Sequence, residues 1–144
     1  MTRSIEQKTE CLRKAILNSR EHISAGDPKR IYSQYMRYAL DQFKDINAFI
    51  SGEAMDMRRN ETIDDHVIPH TIVMEKMISL NSLDSECIKN SVGKYFALCR
   101  ISRRENMLLN EAGLKSRMPN GWDDRAADMF ARYYAVGILK IHRK

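Results

Sequence analysis

The chain has little of several features that would define a protein class on their own. It contains three prolines and six glycines among 144 residues, which excludes a collagen-like protein or a Pro/Gly-rich linker. No stretch approaches the roughly 18 consecutive apolar residues of a membrane span, so we expect no membrane partner. Its 43% apolar and 30% charged residues suit an ordinary soluble protein, and the length predicts a single domain over residues 1–144.

Cysteine is also scarce. The three cysteines are Cys11, Cys87 and Cys99, an odd number without the paired spacing of a zinc site. The first 14 residues carry charge throughout, so we expect no secretory signal peptide and a cytoplasmic location. Reduced thiols are then the default state, and each cysteine is predicted to fill a small space in the core.

The excess of positive charge is confined to one half of the sequence. Residues 1–72 hold 11 Lys/Arg and 11 Asp/Glu. Residues 73–144 hold 13 Lys/Arg and 8 Asp/Glu, and they carry the whole net charge of +5. An excess of this kind suits a polyanionic partner such as nucleic acid, although an ordinary basic surface would show it too.

The first 52 residues predict a pair of antiparallel helices. Apolar residues recur at helical spacing from Ile5 to Ile23 and again from Ile31 to Ile50. Asp27 as N-cap and Pro28 at the first helical position predict the start of the second helix. That helix carries a stripe of aromatic residues, for which the spacing favours core packing and base stacking is the alternative: Tyr32, Tyr35 and Tyr38.

The middle of the chain adds short strands to the helices and predicts a mainly helical α+β fold. A short strand over residues 62–69 and a second strand over 94–101 are separated by a helical insert over 72–92. The Ser-x-x-Glu sequence Ser102–Glu105 is a capping box that predicts a helix directly after the second strand. Together these elements predict a small ββα-like centre over residues 62–113.

The last part of the chain predicts one more helix. It extends over residues 123–140, with Asp123 as its cap and Ala126 in its first turns. Asp128 and Arg132 are spaced i, i+4 on this helix, which predicts an exposed ion pair.

The conspicuous motif is Asp64-Asp65-His66-Val67-Ile68-Pro69. Two carboxylates followed at once by an imidazole supply oxygen ligands for a divalent metal and a candidate general base. The proline stops the strand, so His66 is predicted to lie at a rigid strand end rather than on a mobile loop.

Two structural interpretations of the same motif stay open. Asp64 and Asp65 could instead cap the helix that follows. His66 and His70 are spaced i, i+4, and on a continuous helix they would share one face as a metal-binding pair.

The segment Asp65-His66-Val67-x-Pro69 resembles the D-H-[IV]-x-P core of the HNH nucleases, the ββα-metal family. In that family the histidine activates a water that attacks the scissile phosphate, and the preceding acidic residue helps to bind one divalent metal, usually Mg²⁺ or Mn²⁺. The resemblance therefore implies His66 as general base and Asp65 as metal ligand. Asp64 could orient His66, or the roles of the two carboxylates could be exchanged.

The resemblance extends over residues 62–110. In the family an asparagine orients the base or braces the loop, which implies this role for Asn90. The run from Leu98 to Asn106 is similar to the strand-to-helix stretch of the family. By that alignment Asn106, in preference to Glu105, is the last metal ligand.

Basic residues flank the predicted site: Lys94, Arg100, Arg103 and Arg104. They could hold phosphates without reading sequence, although Arg103 and Arg104 could equally be a solvated helix start. The expected function is a metal-dependent endonuclease that acts on nucleic acid, DNA in preference to RNA. The alternative is a non-enzymatic helical domain with an inhibitory or regulatory role that binds nucleic acid or a protein, including a degenerate HNH scaffold that binds without cleaving. The composition permits a homodimer without requiring one.

Overall fold

The structure is a computed structural model that describes residues 2–125 and 128–144. Within these residues the chain forms six α-helices and four β-strands, which is the mainly helical α+β fold that the sequence predicts. None of the described helices is long and apolar enough to cross a membrane. The chain divides into two compact units, Met1–Asp45 with Thr71–Phe96 and Ile46–His70 with Ala97–Lys144.

The first unit is helical, and it contains all of α3 except the first residue. Its helices are α1 (Ile5–Ser24), α2 (Lys29–Asp41), α3 (His70–Ile78) and α4 (Ser85–Tyr95). Helix α1 begins at a capping box in which the Ser4 hydroxyl accepts from the Gln7 N–H. It packs against α2 and α4, so the predicted N-terminal helical pair is confirmed.

Helix α2 is shorter than predicted. Pro28 is its N-cap and no side chain caps the helix, so Asp27 does not have the predicted role. The helix ends at Asp41, and the prediction that it continues to Ile50 is wrong. The segment Ala48–Ser51 is a strand instead, because neighbouring strands hydrogen-bond to it on both sides. Long-range pairing outweighs local apolar spacing here.

The second unit contains a four-stranded mixed sheet. Its strands are β1 (Ala48–Ser51), β2 (Thr62–His66), β3 (Leu98–Ser102) and β4 (Ile141–Arg143). The strand order is β2-β3-β1-β4, so β2 and β4 form the edges. Strand β1 runs parallel to β3 and antiparallel to β4, and β2 runs antiparallel to β3.

Strand β3 leads directly into α5 (Arg103–Glu111), as predicted. The Ser102 hydroxyl accepts from the Glu105 N–H at 3.0 Å, and the Glu105 carboxylate accepts from the Ser102 N–H at 2.9 Å. This reciprocal pair is the predicted capping box. Gly113 follows the helix at φ +74°, a conformation that glycine adopts without steric cost. The order β2, β3, α5 is therefore that of a ββα element, with α3 and α4 inserted in the sequence between its strands.

The prediction of a C-terminal helix over residues 123–140 is wrong. Its described part contains the short helix α6 (Ala131–Ala135), and strand β4 follows. Gly137, at φ +85°, lies between the two and redirects the chain into the sheet. Ala126, which was assigned to the predicted helix, lies outside the described residues.

The core of the second unit packs on one face of the sheet against α5 and α6. Its buried members are Val67, Ala97, Cys99, Ile101, Leu109, Leu114, Tyr133 and Ile138. Full burial of one large aliphatic side chain contributes about 1.5–3 kcal/mol, so this cluster holds β2 and β3 in place beneath the helices. Cys99 fills the core as predicted, whereas Cys11 and Cys87 are half-buried.

Candidate functional site

The Asp-Asp-His motif lies in β2, at one edge of the sheet. The register pairs Asp64 with Arg100 and Asp65 with Cys99 on β3. Successive side chains of a strand point to opposite faces, so the two adjacent carboxylates lie on opposite sides of the sheet. Since both residues lie inside a strand, the alternative that they cap a helix is wrong.

Asp65 faces the core, where two side chains from α6 contact its carboxylate. Arg132 Nη1 donates to Asp65 Oδ2 at 3.0 Å, and the Tyr133 hydroxyl donates to the same oxygen at 2.7 Å. The Arg132 side chain is 1% exposed and that of Asp65 is 17% exposed. Loss of either partner of so buried a pair leaves a charge without compensation, which is strongly destabilising.

Arg132 also joins three segments of the second unit through backbone oxygens. It donates to the carbonyls of His66 at 2.7 Å, Val67 at 3.1 Å and Leu114 at 2.7 Å. The guanidinium group, with five donors in a rigid plane, suits such a junction. The predicted exposed pair of Arg132 with Asp128 is therefore wrong, because Arg132 is buried and pairs with Asp65.

Two weak acids beside Asp65 stay protonated at neutral pH. Burial raises the pKa of Tyr133 well above its usual value, and the negative charge of Asp65 raises it further. Burial also raises the pKa of the Cys99 thiol to about 12, although a hydrogen bond with Tyr133 opposes the shift. Tyr133 is therefore a hydrogen-bond donor to Asp65, and the Cys99 thiol is not a nucleophile at physiological pH.

Asp64 lies on the other face of β2, between two arginines. Arg59 Nη2 lies 2.9 Å from Asp64 Oδ2, and Arg100 Nε lies 3.5 Å from Asp64 Oδ1. Arg103, the first residue of α5, donates from Nε and Nη2 to the Asn60 carbonyl at 3.3 and 3.2 Å. Arg59, Arg100 and Arg103 are thus gathered at this edge of the sheet, and we call them the arginine cluster.

His66 is half-buried at the end of β2. It lies two residues after Asp64, so the two side chains share a face of the strand. The centroids of the His66 and His70 rings are 5.9 Å apart, with 57° between the ring planes. His70 begins α3, so the two histidines lie on different elements, and the alternative of a pair on one continuous helix is wrong.

The remaining candidate residues are divided between the two units. Arg103, Arg104 and Asn106 lie on α5 in the second unit, and Asn106 is half-buried. Asn90 and Lys94 are exposed on α4, which belongs to the first unit. The roles that the HNH resemblance implies for Asn90 and Asn106 stay predictions.

Glu53, which was not among the predicted site residues, organises the start of α5. Its carboxylate accepts from Arg104 Nε at 3.1 Å and Nη2 at 2.5 Å, and from the Ser102 hydroxyl. The hydrogen bond from Arg104 lowers the pKa of Glu53, and that from Ser102 lowers it further. Arg104 therefore has a carboxylate partner of its own, and it is not a member of the arginine cluster. No local pattern links Glu53 to a helix so distant in sequence.

Arg132 could have been recognised from its surroundings in the sequence. It is the only charged residue between Asp128 and Lys140, within the run Met-Phe-Ala-Arg-Tyr-Tyr-Ala-Val-Gly-Ile-Leu. A lone arginine in an apolar segment needs a buried partner, because an unpaired charge is rarely buried. The partner itself, Asp65, could not be identified from the sequence.

The placement of the carboxylates bears directly on the metal site that the HNH resemblance implies. Across residues 2–125 and 128–144, no three His, Cys, Asp or Glu side chains form a group that could hold a metal ion. Asp64 and Asp65 point away from each other, and each carboxylate accepts from arginine. As placed, they do not converge on one cation, and these residues do not fit a shared Mg²⁺ or Mn²⁺ site.

Comparison with known proteins adds no further constraint. No protein-family model, curated protein or solved structure matches this chain.

Proposed function

We propose that the chain is a nucleic-acid-binding domain in which the arginine cluster of the ββα element contacts phosphates. The observation that carries the proposal is the gathering of three arginines at the β2 edge of the sheet: Arg59 and Arg100 pair with the exposed carboxylate of Asp64, and Arg103 donates to the neighbouring Asn60 carbonyl. Guanidinium groups match phosphate oxygens in shape and can bind them through two parallel hydrogen bonds. Contacts of this kind position a nucleic acid without reading its sequence.

Exchange of Asp64 for a phosphate costs little. The Arg59 side chain is 68% exposed, and a surface ion pair of this type contributes about 0–1 kcal/mol. A phosphate can therefore take the place of Asp64 as the partner of Arg59. Arg100 lies within β3, so its backbone position is fixed by strand pairing on both sides. We expect duplex DNA to be the preferred ligand, in keeping with the HNH resemblance.

Phosphodiester hydrolysis with His66 as general base is a second candidate. The chain order β2, β3, α5 favours it, and so does the position of His66 at the end of β2 on the face of Asp64. A neutral imidazole can accept a proton from water at neutral pH. A divalent metal would supply Lewis-acid chemistry, but the carboxylates as placed do not fit one, so binding is our first proposal.

The binding proposal can be tested by fluorescence anisotropy with labelled duplex DNA over a range of salt concentrations. The variant Arg59→Met/Arg103→Met removes two cluster cations. We expect weaker binding and a log Kd against log salt slope that is flatter by about 2, since each phosphate contact contributes about 0.9. Arg125→Met, which removes an exposed arginine elsewhere in the second unit, is the matched control. Equal affinity and slope in the double variant and the control would contradict the proposal.

The same preparations separate binding from cleavage. Supercoiled plasmid is incubated with Mg²⁺ or Mn²⁺, using the wild-type protein and His66→Ala. Nicking by the wild type that disappears in His66→Ala would establish the second candidate. Salt-sensitive binding without nicking would leave the chain a binding domain. If the wild-type protein neither binds nor nicks DNA, both candidates are overturned.

A further inference from the structure

The first unit contains a groove between α1 and α2. Residues 25–28 join the two helices, and Arg3 Nη1 donates to Gln42 Oε1 at 3.2 Å, so the helices run antiparallel. The groove has a volume of about 450 Å³. It is lined by Arg3, Gln7, Glu10, Cys11, Lys14 and Tyr35.

Exposed aromatic and apolar side chains share the face of α2 on which Tyr35 lines this groove. Tyr35 is 40% exposed and Tyr38 65% exposed, and Ile31 is exposed on the same helical face. The predicted core packing of the tyrosine stripe is therefore correct for Tyr32, which is buried, and wrong for Tyr35 and Tyr38. Ile31, Tyr35 and Tyr38 are spaced i, i+4 and i+7, so their exposed side chains form one stripe along α2 that offers two aromatic rings to a ligand.

The charges around the groove are mainly positive. Lys14 lines it from α1 and Arg3 from the residues just before that helix, and the carboxylate that lines it, Glu10, is paired with Arg13. A second copy of the same face would bring like charges together, whereas a polyanion would be attracted. Aromatic rings between basic groups are the combination that binds single-stranded nucleic acid, because unpaired bases offer their flat faces for stacking.

We propose that this groove, which we call the tyrosine groove, binds single-stranded nucleic acid. Bases stack on Tyr35 and Tyr38, and the phosphates that flank them contact Arg3 and Lys14. The tyrosine groove differs from the arginine cluster in its unit and in its ligand, because duplex DNA keeps its base faces covered. The inference rests on the proposed function only in the general class of partner.

Anisotropy titrations with labelled oligothymidylate test the inference, with the labelled duplex as the second ligand. Tyr35→Ala and Tyr38→Ala are each expected to weaken oligothymidylate binding by about 5- to 100-fold, since stacking on one aromatic ring has roughly this effect. Tyr38→Phe keeps the ring and should bind as the wild type does. None of these changes should alter the affinity for duplex DNA. Urea unfolding of each variant shows whether its stability is preserved.

Cys11 provides a second readout inside the tyrosine groove. It is half-buried, whereas Cys99 is buried and has a pKa of about 12, so Cys99 reacts slowly with maleimide. In a Cys87→Ser background, Cys11 is then the main thiol that is labelled. We expect oligothymidylate to slow the labelling of Cys11 in the wild-type groove and not in the Tyr35→Ala/Tyr38→Ala variant.

The outcomes separate this inference from the proposed function. Unchanged oligothymidylate affinity in both Tyr→Ala variants overturns the tyrosine groove, whatever the arginine variants show. The same holds if Tyr38→Ala changes the oligomeric state in size-exclusion chromatography without affecting oligothymidylate binding, since a second copy then occupies the face. If the tyrosine variants lose only single-strand binding while Arg59→Met/Arg103→Met loses only duplex binding, both proposals stand. If the tyrosine variants lose single-strand binding while the wild-type protein has no affinity for duplex DNA, the tyrosine groove is supported. The binding role of the arginine cluster is then overturned.

Discussion

The two faces of β2 place identical carboxylates in opposite surroundings. Asp65 lies against the core and accepts from Arg132 and Tyr133, which are both buried. Asp64, its neighbour in the sequence, lies on the exposed face with Arg59 and Arg100. Desolvation makes the pair of Asp65 with Arg132 costly to break, and solvent screening makes the pair of Asp64 with the 68% exposed Arg59 weak. The acidic dipeptide therefore has one residue with a structural role and one that, in the proposed function, a phosphate replaces as the partner of Arg59.

The comparison predicts that removal of Arg132 has the largest effect. Arg132→Met leaves Asp65 and three carbonyl oxygens without their donor, so we expect the free energy of unfolding to fall by about 3–5 kcal/mol. Urea unfolding followed by circular dichroism measures the change, and Arg125→Met is the control. A loss below about 1 kcal/mol would show that the contacts of Arg132 with Asp65 and the carbonyl oxygens do not hold the fold together.

A comparison of the two neutralised carboxylates gives the next largest effect. Asp65→Asn weakens charged hydrogen bonds to buried partners, and we expect a loss of about 2 kcal/mol. Asp64→Asn changes an exposed pair and should cost less than about 0.5 kcal/mol. The test is to measure the free energy of unfolding of both variants in the same buffer. Equal losses would mean that the two faces do not differ in this way.

Alkaline pH should lower the stability of the protein through the two weak acids beside Asp65, Cys99 and Tyr133. The pKa of Cys99 is raised to about 12 in the folded chain, so the folded state binds this proton more tightly than the unfolded state. Stability from this group is complete below the ordinary thiol pKa and is lost as the pH rises towards 12. The expected slope is at most about 1.4 kcal/mol per pH unit, and the raised pKa of Tyr133 adds to it above about pH 10.

Urea unfolding from about pH 8 to about pH 11 measures that slope. Cys99→Ala removes the thiol and should flatten the fall below about pH 10, leaving the part due to Tyr133. An identical pH dependence in the two proteins would refute the assignment to Cys99.

The smallest effect on stability is expected for the exposed face. Arg59→Met removes a screened partner of Asp64, so the free energy of unfolding should change by less than about 0.5 kcal/mol. Its affinity for duplex DNA should nevertheless fall, because one phosphate contact is lost. Calorimetric unfolding and anisotropy on the same sample measure both quantities. A large loss of stability in Arg59→Met would mean that Arg59 has a structural role, as Arg132 has, and is not a screened surface residue.

Elements with local signals were predictable from the sequence. The Ser102–Glu105 capping box and the β-branched and aromatic run before it predict β3 and α5, and both are present. The N-terminal pair followed from apolar spacing over many turns. In each case neighbouring residues supply the physical cause, which is why a local pattern is sufficient.

Elements that depend on distant partners were not predictable. Ala48–Ser51 continues a helical spacing, yet it is a strand because β3 and β4 pair with it. The helix expected over 123–140 is reduced to α6 in its described part, and after Gly137 the chain turns to place Ile141–Arg143 beside β1. At the site, the two adjacent carboxylates of Asp64 and Asp65 predicted a metal site. That their side chains lie on opposite faces of the sheet depends on the strand structure and its register, which the sequence pattern did not reveal. Which arginine contacts which carboxylate depends on the same long-range pairing.

The position of β1 within the sheet has a consequence for synthesis of the chain. Phe49 pairs with Cys99 on one side and with Arg143 on the other. Both edges of β1 therefore stay unpaired until residues much later in the sequence have been synthesised. On the ribosome, where synthesis proceeds at about 5–20 residues per second, β1 remains an open template for many residues. An unpaired strand edge can pair with other chains, so β1 is a site of aggregation risk until β4 has been made and pairs with it.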